Sequence, residues 1–257
     1  MKKIMLALCA LLSIQAYAQG PVSTRIRSGL DVGFAFKKDN YAPSLTYFQL
    51  MNIGRNKVIS VGWTSRLAKF YGDNLNLYTA PASLTRGKTG FEALGAPLTP
   101  ATIDTARFDF ITNTSLNFGI RVQVQLGPVE LGGSADLFGL TFGKTRVGRM
   151  IASAGAYKVE SSRAGVDSLV YFTGDNRLQS FKPTRGSVRL LGDNDIGNLA
   201  AELYARVRVG QRLSIKGGYQ WQTAEMSLRD IRPIDGNRRF RHRTGMPFVA
   251  VTFPFFN

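Results

Sequence analysis

The chain has 257 residues, with 33 Lys and Arg against 17 Asp and Glu, one His and one Cys, giving a formal charge of +16. Apolar types make up 44% and charged types 19%, with 27 Gly, which is too apolar for a disordered tail and too Gly-rich for a coiled coil. Beyond the N-terminus no run reaches the ~18 apolar residues of a membrane helix, so a helical membrane protein is excluded. A membrane β-barrel is not, because its lipid-facing and lumen-facing residues alternate and average out.

The N-terminus reads as an export signal. Met1-Lys2-Lys3 supplies positive charge, Ile4 to Ile14 is apolar apart from Ser13, and Ala16-Tyr17-Ala18 has the small-x-small form of a cleavage site. Residues 1–18 are therefore expected to be a signal peptide and residues 19–257 the mature barrel domain, with a charge of +14 once Lys2 and Lys3 are removed. Cys9 lies inside the signal, preceded by Leu8 where a lipid-acceptor cysteine needs a small neighbour. The mature chain then has no thiol, hence no disulfide, thiolate metal site or cysteine nucleophile. No cofactor and no metal are expected.

From Gln19 onward the dominant period is two, the mark of strands with one apolar and one polar face. Ile26 to Lys37 sets Ile26, Leu30, Val32, Phe34 and Phe36 against Arg27, Gly29, Asp31, Gly33 and Ala35. Leu45 to Met51 is a second run, with its faces unassigned. Val58 to Phe70 sets Ile59, Val61, Trp63 and Leu67 against Ser60, Gly62, Thr64 and Arg66. The fourth, Phe108 to Leu126, alternates over nineteen residues and places Asp109, Asn113, Asn117, Arg121 and Gln123 together. That is longer than the roughly ten residues at which most globular strands stop. Val129 to Phe142 shifts parity at Phe138, which predicts a bulge near Gly139. Leu199 to Val209, Leu213 to Thr223 and Phe248 to Phe256 complete eight strands.

Connections of two lengths alternate along this series. Asn52 to Lys57, Gly127-Pro128 and Gly210-Gln211-Arg212 are short, whereas Lys38 to Ser44, Gly72 to Arg107, Lys144 to Asn198 and Glu225 to Gly245 are long. The pattern predicts an all-β, up-and-down antiparallel transmembrane barrel with short periplasmic turns and long extracellular loops. Ser168 to Phe172 and Leu178 to Phe181 read as a hairpin within the third long loop. Its insertion into the wall would raise the strand number from eight to ten.

Taken with the signal peptide and the aromatic ending Phe248-Val-Ala-Val-Thr-Phe-Pro-Phe-Phe256, this organisation resembles the small OmpA/OmpX-like outer-membrane barrels of Gram-negative bacteria. The resemblance covers roughly Arg25 to Asn257 and implies the barrel alone. It departs from the family pattern at Pro254 and at Asn257, which follows the last Phe. It implies residence in the outer membrane among lipid and lipopolysaccharide, and insertion by the barrel-assembly machinery, which reads such C-terminal strands.

The expected lumen set is Arg27, Asp31, Arg66, Asp109, Arg121, Glu130, Asp136, Glu202, Arg206, Arg208 and Lys216. Eight strands enclose a bore that side chains can fill, and buried charges persist only when paired. The set reads as a polar plug, with an ion pathway or a catalytic dyad as the alternatives. Surplus positive charge lies in the long connections, most densely at Arg238, Arg239, Arg241, His242 and Arg243. On an external loop these would bind anionic groups such as those of lipopolysaccharide, or form a solvated tip without a ligand. Tyr41, Tyr47, Phe70, Tyr71, Phe108, Tyr219, Trp221, Phe253 and Phe255 fall near strand ends and read as interfacial girdles or as ordinary core. Nucleic acid is not an expected partner.

Enzymatic signals are sparse. His242 is the sole imidazole and has no serine motif around it, so catalysis is not expected; a lipid A-modifying enzyme would have to use it. Gly87-Lys88-Thr89 and Gly143-Lys144-Thr145 lack the upstream Gly of a phosphate loop, Ala82 and Phe138 standing there instead. Asp193-Asn194-Asp195-Ile196-Gly197 departs from a calcium loop and reads as a turn. The resulting expectation is a structural or interaction protein serving adhesion, envelope integrity or a surface or secretion complex with a protein partner. A narrow channel or transporter is the alternative.

Overall fold

The computed structural model describes residues 25–256 apart from 55–57, 152–154, 161–166, 191–192 and 210–212. The expected signal peptide with Cys9, part of the first short turn and the turn Gly210-Gln211-Arg212 lie outside the described residues. Thirteen strands follow in chain order. They are β1 (Ile26–Lys37), β2 (Asn40–Ile53), β3 (Ile59–Thr79), β4 (Thr105–Leu126), β5 (Val129–Phe142), β6 (Arg146–Ile151), β7 (Ala156–Glu160), β8 (Asp167–Tyr171), β9 (Leu178–Pro183), β10 (Gly186–Val188), β11 (Leu199–Arg208), β12 (Ser214–Leu228) and β13 (Arg239–Phe256).

Eight of them close a ring. β1, β2, β3, β4 and β5 pair in succession, β5 pairs with β11, β11 with β12, β12 with β13, and β13 returns to β1, all antiparallel. Closure leaves this ring without an edge, so its backbone donors and acceptors are satisfied where no water is present. The outer face carries Val32, Phe34, Trp63, Leu67, Phe118, Ile120, Leu203, Tyr219, Trp221, Val249 and Phe253, all 36% or more exposed. From Ile59 to Tyr71, β3 spans twelve steps. At about 3.3 Å per step and a tilt of about 40°, that segment crosses about 30 Å, the thickness of a hydrocarbon core.

β2, β3, β4, β12 and β13 extend beyond the runs that the alternation alone defines. The first expected long connection is a two-residue turn, Lys38-Asp39, between β1 and β2. Asp39 has φ +64, a left-handed conformation that Asp tolerates in a tight hairpin. β12 continues to Leu228 and β13 starts at Arg239, which shortens the last connection to ten residues. The regular alternation of short and long connections therefore fails at the first hairpin.

A second, narrower ring stands above the first. β3 pairs with β4 through Tyr78 and Thr105, β4 with β6, β6 with β9, β9 with β12, β12 with β13, and Phe240 and Arg241 of β13 return to Thr79 and Tyr78 of β3. Here β1, β2, β5 and β11 have ended and β6 and β9 have entered, so six strands surround the axis. The expected hairpin of 168–172 with 178–181 does not form. β8 pairs with β7 in a separate two-stranded sheet, and β9 joins the upper ring. Neither enters the eight-stranded wall.

Two irregularities change which residues face inward. Asn74 adopts φ +55, and the inward positions of β3 change there from even (Arg66, Ala68, Phe70) to odd (Leu75, Leu77, Thr79). On β4 they change in step, from Asn113 and Ile111 to Phe108 and Ala106. The second is the β5 bulge. Phe118 faces Phe138 while Gly119 faces Asp136, so Leu137 is the extra residue, two positions before the expected Gly139.

Candidate functional site

The interior of the eight-stranded ring is a stack of ion pairs. Nearest the short turns, Glu130 accepts from Arg206 Nε at 2.7 Å, Arg208 Nη2 at 3.2 Å and Arg27 Nη1 at 3.4 Å. One level up, Asp31 accepts from Arg121 Nη2 at 2.6 Å, Lys216 Nζ at 3.0 Å and Thr252 Oγ1 at 2.7 Å. Glu202 accepts from Ser134 Oγ at 2.9 Å, from Arg121 and from Lys216, with Arg66 Nη2 at 3.1 Å. Asp136 accepts from Asn117 Nδ2 at 2.9 Å and the Ala200 backbone N–H at 2.8 Å, with Arg66 Nε at 3.5 Å. Alternation on β1, β3, β4, β5, β11 and β12 brings these side chains to one axis.

Ten of the eleven expected lumen residues meet in this network. Asp109 does not. It precedes the parity change on β4 and is exposed on the outer surface. Six cations therefore face four carboxylates, and part of the excess rests on aromatic faces. Arg121 lies 4.5 Å above the Phe48 ring, and Lys216 lies 4.1 Å from the centre of the Tyr204 ring. Phe48 belongs to the strand whose faces the alternation left unassigned. Its neighbour Tyr47, which faces outward, shows which parity to take.

Above the ion pairs the interior becomes apolar. Leu77, Phe108, Met150, Phe181, Met226 and Phe240 fill the six-stranded ring. Phe181 meets Phe108 edge-on at 4.9 Å and Phe240 edge-on at 5.6 Å. An eight-stranded bore is already just filled by side chains, and a six-stranded one is narrower. Phe70 and Phe108, expected in the girdles, belong to this core. The other expected girdle residues stay on the outer wall, with Tyr47 against Trp63 and Tyr219 against Trp221, both at 5.3 Å.

The arginine-rich run does not form a loop tip. Arg239, Arg241, His242 and Arg243 lie in β13, and Arg238 immediately precedes it. Arg239 Nε donates to Glu225 Oε1 at 2.8 Å, and Arg241 Nη1 to Asp193 Oδ1 at 3.1 Å; Arg243 pairs with the same Asp193. Arg239 also donates to the Asp195 carbonyl at 2.7 Å. Glu225, expected in a loop, lies fully buried in β12 beneath these guanidinia. The turn at 193–195 is thus clamped to the outer wall, which removes Arg241 from the free cationic surface. Arg238 Nη2 donates to the Leu228 carbonyl at 3.2 Å. Burial lowers the pKa of Arg241.

His242 shares a hydrogen bond of 3.2 Å between Nδ1 and the Asn76 carbonyl. Burial, with nearby Lys37, holds its imidazole below the ordinary range despite that bond. With Nδ1–H donating, the neutral ring is the form that fits. Nε2 is buried without a protein partner among the described residues. The ring is oriented by a backbone carbonyl rather than by a carboxylate, unlike the base of a Ser-His-Asp triad.

No family model and no curated protein matches this sequence. Similar solved structures include Neisserial surface protein A, at 11% identity over 89% of this chain and 94% of that one, with a TM-score of 0.36. The outer membrane protein Ail of Yersinia pestis, in a phospholipid bilayer nanodisc, is 10% identical over 89% and 99% of the two chains, with a TM-score of 0.34. A major outer membrane protein from Thermus thermophilus is 11% identical over 90% and 99%, with a TM-score of 0.35. By its own closed ring and apolar outer band, the chain is a small up-and-down transmembrane β-barrel, resembling the OmpA/OmpX-like outer-membrane barrels.

Proposed function

We propose that this protein is a sealed outer-membrane barrel whose task is carried by the structure it raises above the membrane. Its short turns would face the periplasm, and the upper ring with the 80–104 and 143–198 connections would face the exterior. The observation that carries the reading is the double closure of the bore, by paired charges in the wide ring and by packed aromatics in the narrow one. A chain that fills its channel twice serves anchoring, adhesion, envelope integrity or a surface assembly better than permeation. Export by cleavage after Ala18 and insertion by the barrel-assembly machinery belong to the same reading. Lipopolysaccharide is the natural neighbour for the remaining external cations.

Planar-bilayer recording on the purified, refolded chain tests the proposal. The expected trace shows no sustained single-channel steps, and none should appear when Glu202→Gln loosens the lower level, because the aromatic level remains. Regular conductance steps from the wild-type chain would overturn the sealed-barrel reading in favour of a channel.

A further inference from the structure

On the outer wall, at the upper limit of the apolar band, lies a recess of about 680 Å³. Its floor is the lipid-facing surface of β11, β12 and β13, where Ala201 and Gly245 flank Trp221 and the Tyr219 ring packs over Gly245. Leu94, from the 80–104 connection, forms one side, and Arg189 and Arg243 border the recess with the clamped turn. The recess is apolar below and charged above, where Arg189 and Arg243 meet Asp193 and Asp195, which is the polarity of a lipid entering from the surrounding leaflet.

The charge around it is unbalanced. Among the described residues, the ion pairs of Arg86, Arg189, Arg239, Arg241 and Arg243 are with Asp193, Asp195 and Glu225, and Arg189 also donates to the Asp136 and Ala200 carbonyls. Five guanidinia against three carboxylates leave two positive charges over. Two of the contacts are long, Arg86 to Asp193 at 4.0 Å and Arg189 to Asp195 at 3.9 Å, and the Arg243 side chain is 47% exposed. The 80–104 connection leaves Phe91 and Leu94 72% and 64% exposed. An apolar edge of that kind beside an interfacial Trp fits acyl chains better than water.

We propose that this recess holds one phosphorylated lipid of net negative charge from the surrounding leaflet. Its phosphate would lie at Arg243 and Arg189, and its first methylenes against Trp221, Ala201 and Gly245. Leu94 and Phe91 would enter the leaflet beside it, so that the 80–104 connection closes over the lipid. The inference rests on the outer-membrane reading and adds to it a defined binding place.

The chain has two tryptophans, so Trp63→Phe leaves Trp221 as the reporter. The full mature chain carrying Trp63→Phe is placed in phosphatidylcholine vesicles containing a minor fraction of brominated phosphatidylglycerol, or the same fraction of brominated phosphatidylcholine. Attraction of an anionic lipid by one basic residue predicts about fivefold preferential quenching of Trp221 by the brominated phosphatidylglycerol. Arg243→Gln should abolish the preference, Arg243→Lys should keep most of it, and Arg238→Gln should leave it unchanged. Equal quenching by the two lipids before any further substitution overturns the recess. Absence of quenching by either lipid overturns the membrane reading beneath it.

Discussion

Glu202 shows what one buried carboxylate does in a closed bore. It takes Arg66, Arg121, Lys216 and Ser134 at once, and no water-filled space is needed to stabilise its charge. Such an arrangement adds little over a well-packed apolar interior, but removing one partner leaves the others stranded. Glu202→Gln keeps the shape and deletes the charge, and it is expected to lower stability by about 3–5 kcal/mol. Adding Lys216→Met should recover part of that loss, since a cation leaves with the anion. Urea unfolding in lipid vesicles, followed by tryptophan fluorescence, measures both; an unchanged midpoint for Glu202→Gln would show that the ion pairs do not hold the barrel. At this scale the sequence is readable wherever the period of two is unbroken, as for Asp31, Arg121 and Lys216. Asp109 is misplaced because Asn74, on the neighbouring strand, takes a left-handed conformation and both strands change face together. The arginine run is misread for a different reason: the residues that clamp it, Asp193 and Asp195, lie more than forty positions away and leave no local trace.

At the scale of elements, β1, β5 and β11 are legible over their whole length as alternation, whereas the upper parts of β3, β12 and β13 are not. Beyond Thr223 the inward face of β12 passes from Lys216, Gln220 and Gln222 to Ala224, Met226 and Leu228, so the polar-inside rule that identifies a membrane strand stops applying. The same change occurs on β3 after Arg66, at Ala68 and Phe70, and on β4 between Asn113 and Ile111. An inward face that turns from polar to apolar along one strand is the signal that marks the upper ring. β9 was recognisable as a strand, but its partners β6 and β12 could not be told from the nearer segment at 168–172. Phe181 tests the upper ring, because it is fully buried between Phe108 and Phe240. Phe181→Ala is expected to destabilise that ring by about 3–5 kcal/mol. Limited proteolysis should then cut within 143–198, while the wide ring stays folded and remains protected in vesicles. Simultaneous loss of both rings would mean that they are one cooperative unit.

For the whole molecule, the decisive property is which solvent the outer wall meets. In water, an arginine placed on an exposed strand position away from any special feature changes stability by about 0.5 kcal/mol or less. In a bilayer the same substitution costs about 2–4 kcal/mol at the midplane and about 0–1 kcal/mol near the interfaces. Val249 and Met51 separate these cases, since both face outward and both are more than half exposed. Val249 lies midway along the apolar stretch of β13, between Phe253 and Gly245, whereas Met51 lies at the short-turn end of β2. Val249→Arg should therefore lose several times more stability than Met51→Arg when both are unfolded from lipid vesicles by urea. A water-exposed wall would make the two substitutions equally mild. The difference between them reads depth directly, and it depends on neither the ion pairs inside the bore nor the clamp above it. Those features fix how the barrel is filled, whereas the graded penalty on its outer wall fixes where the barrel resides.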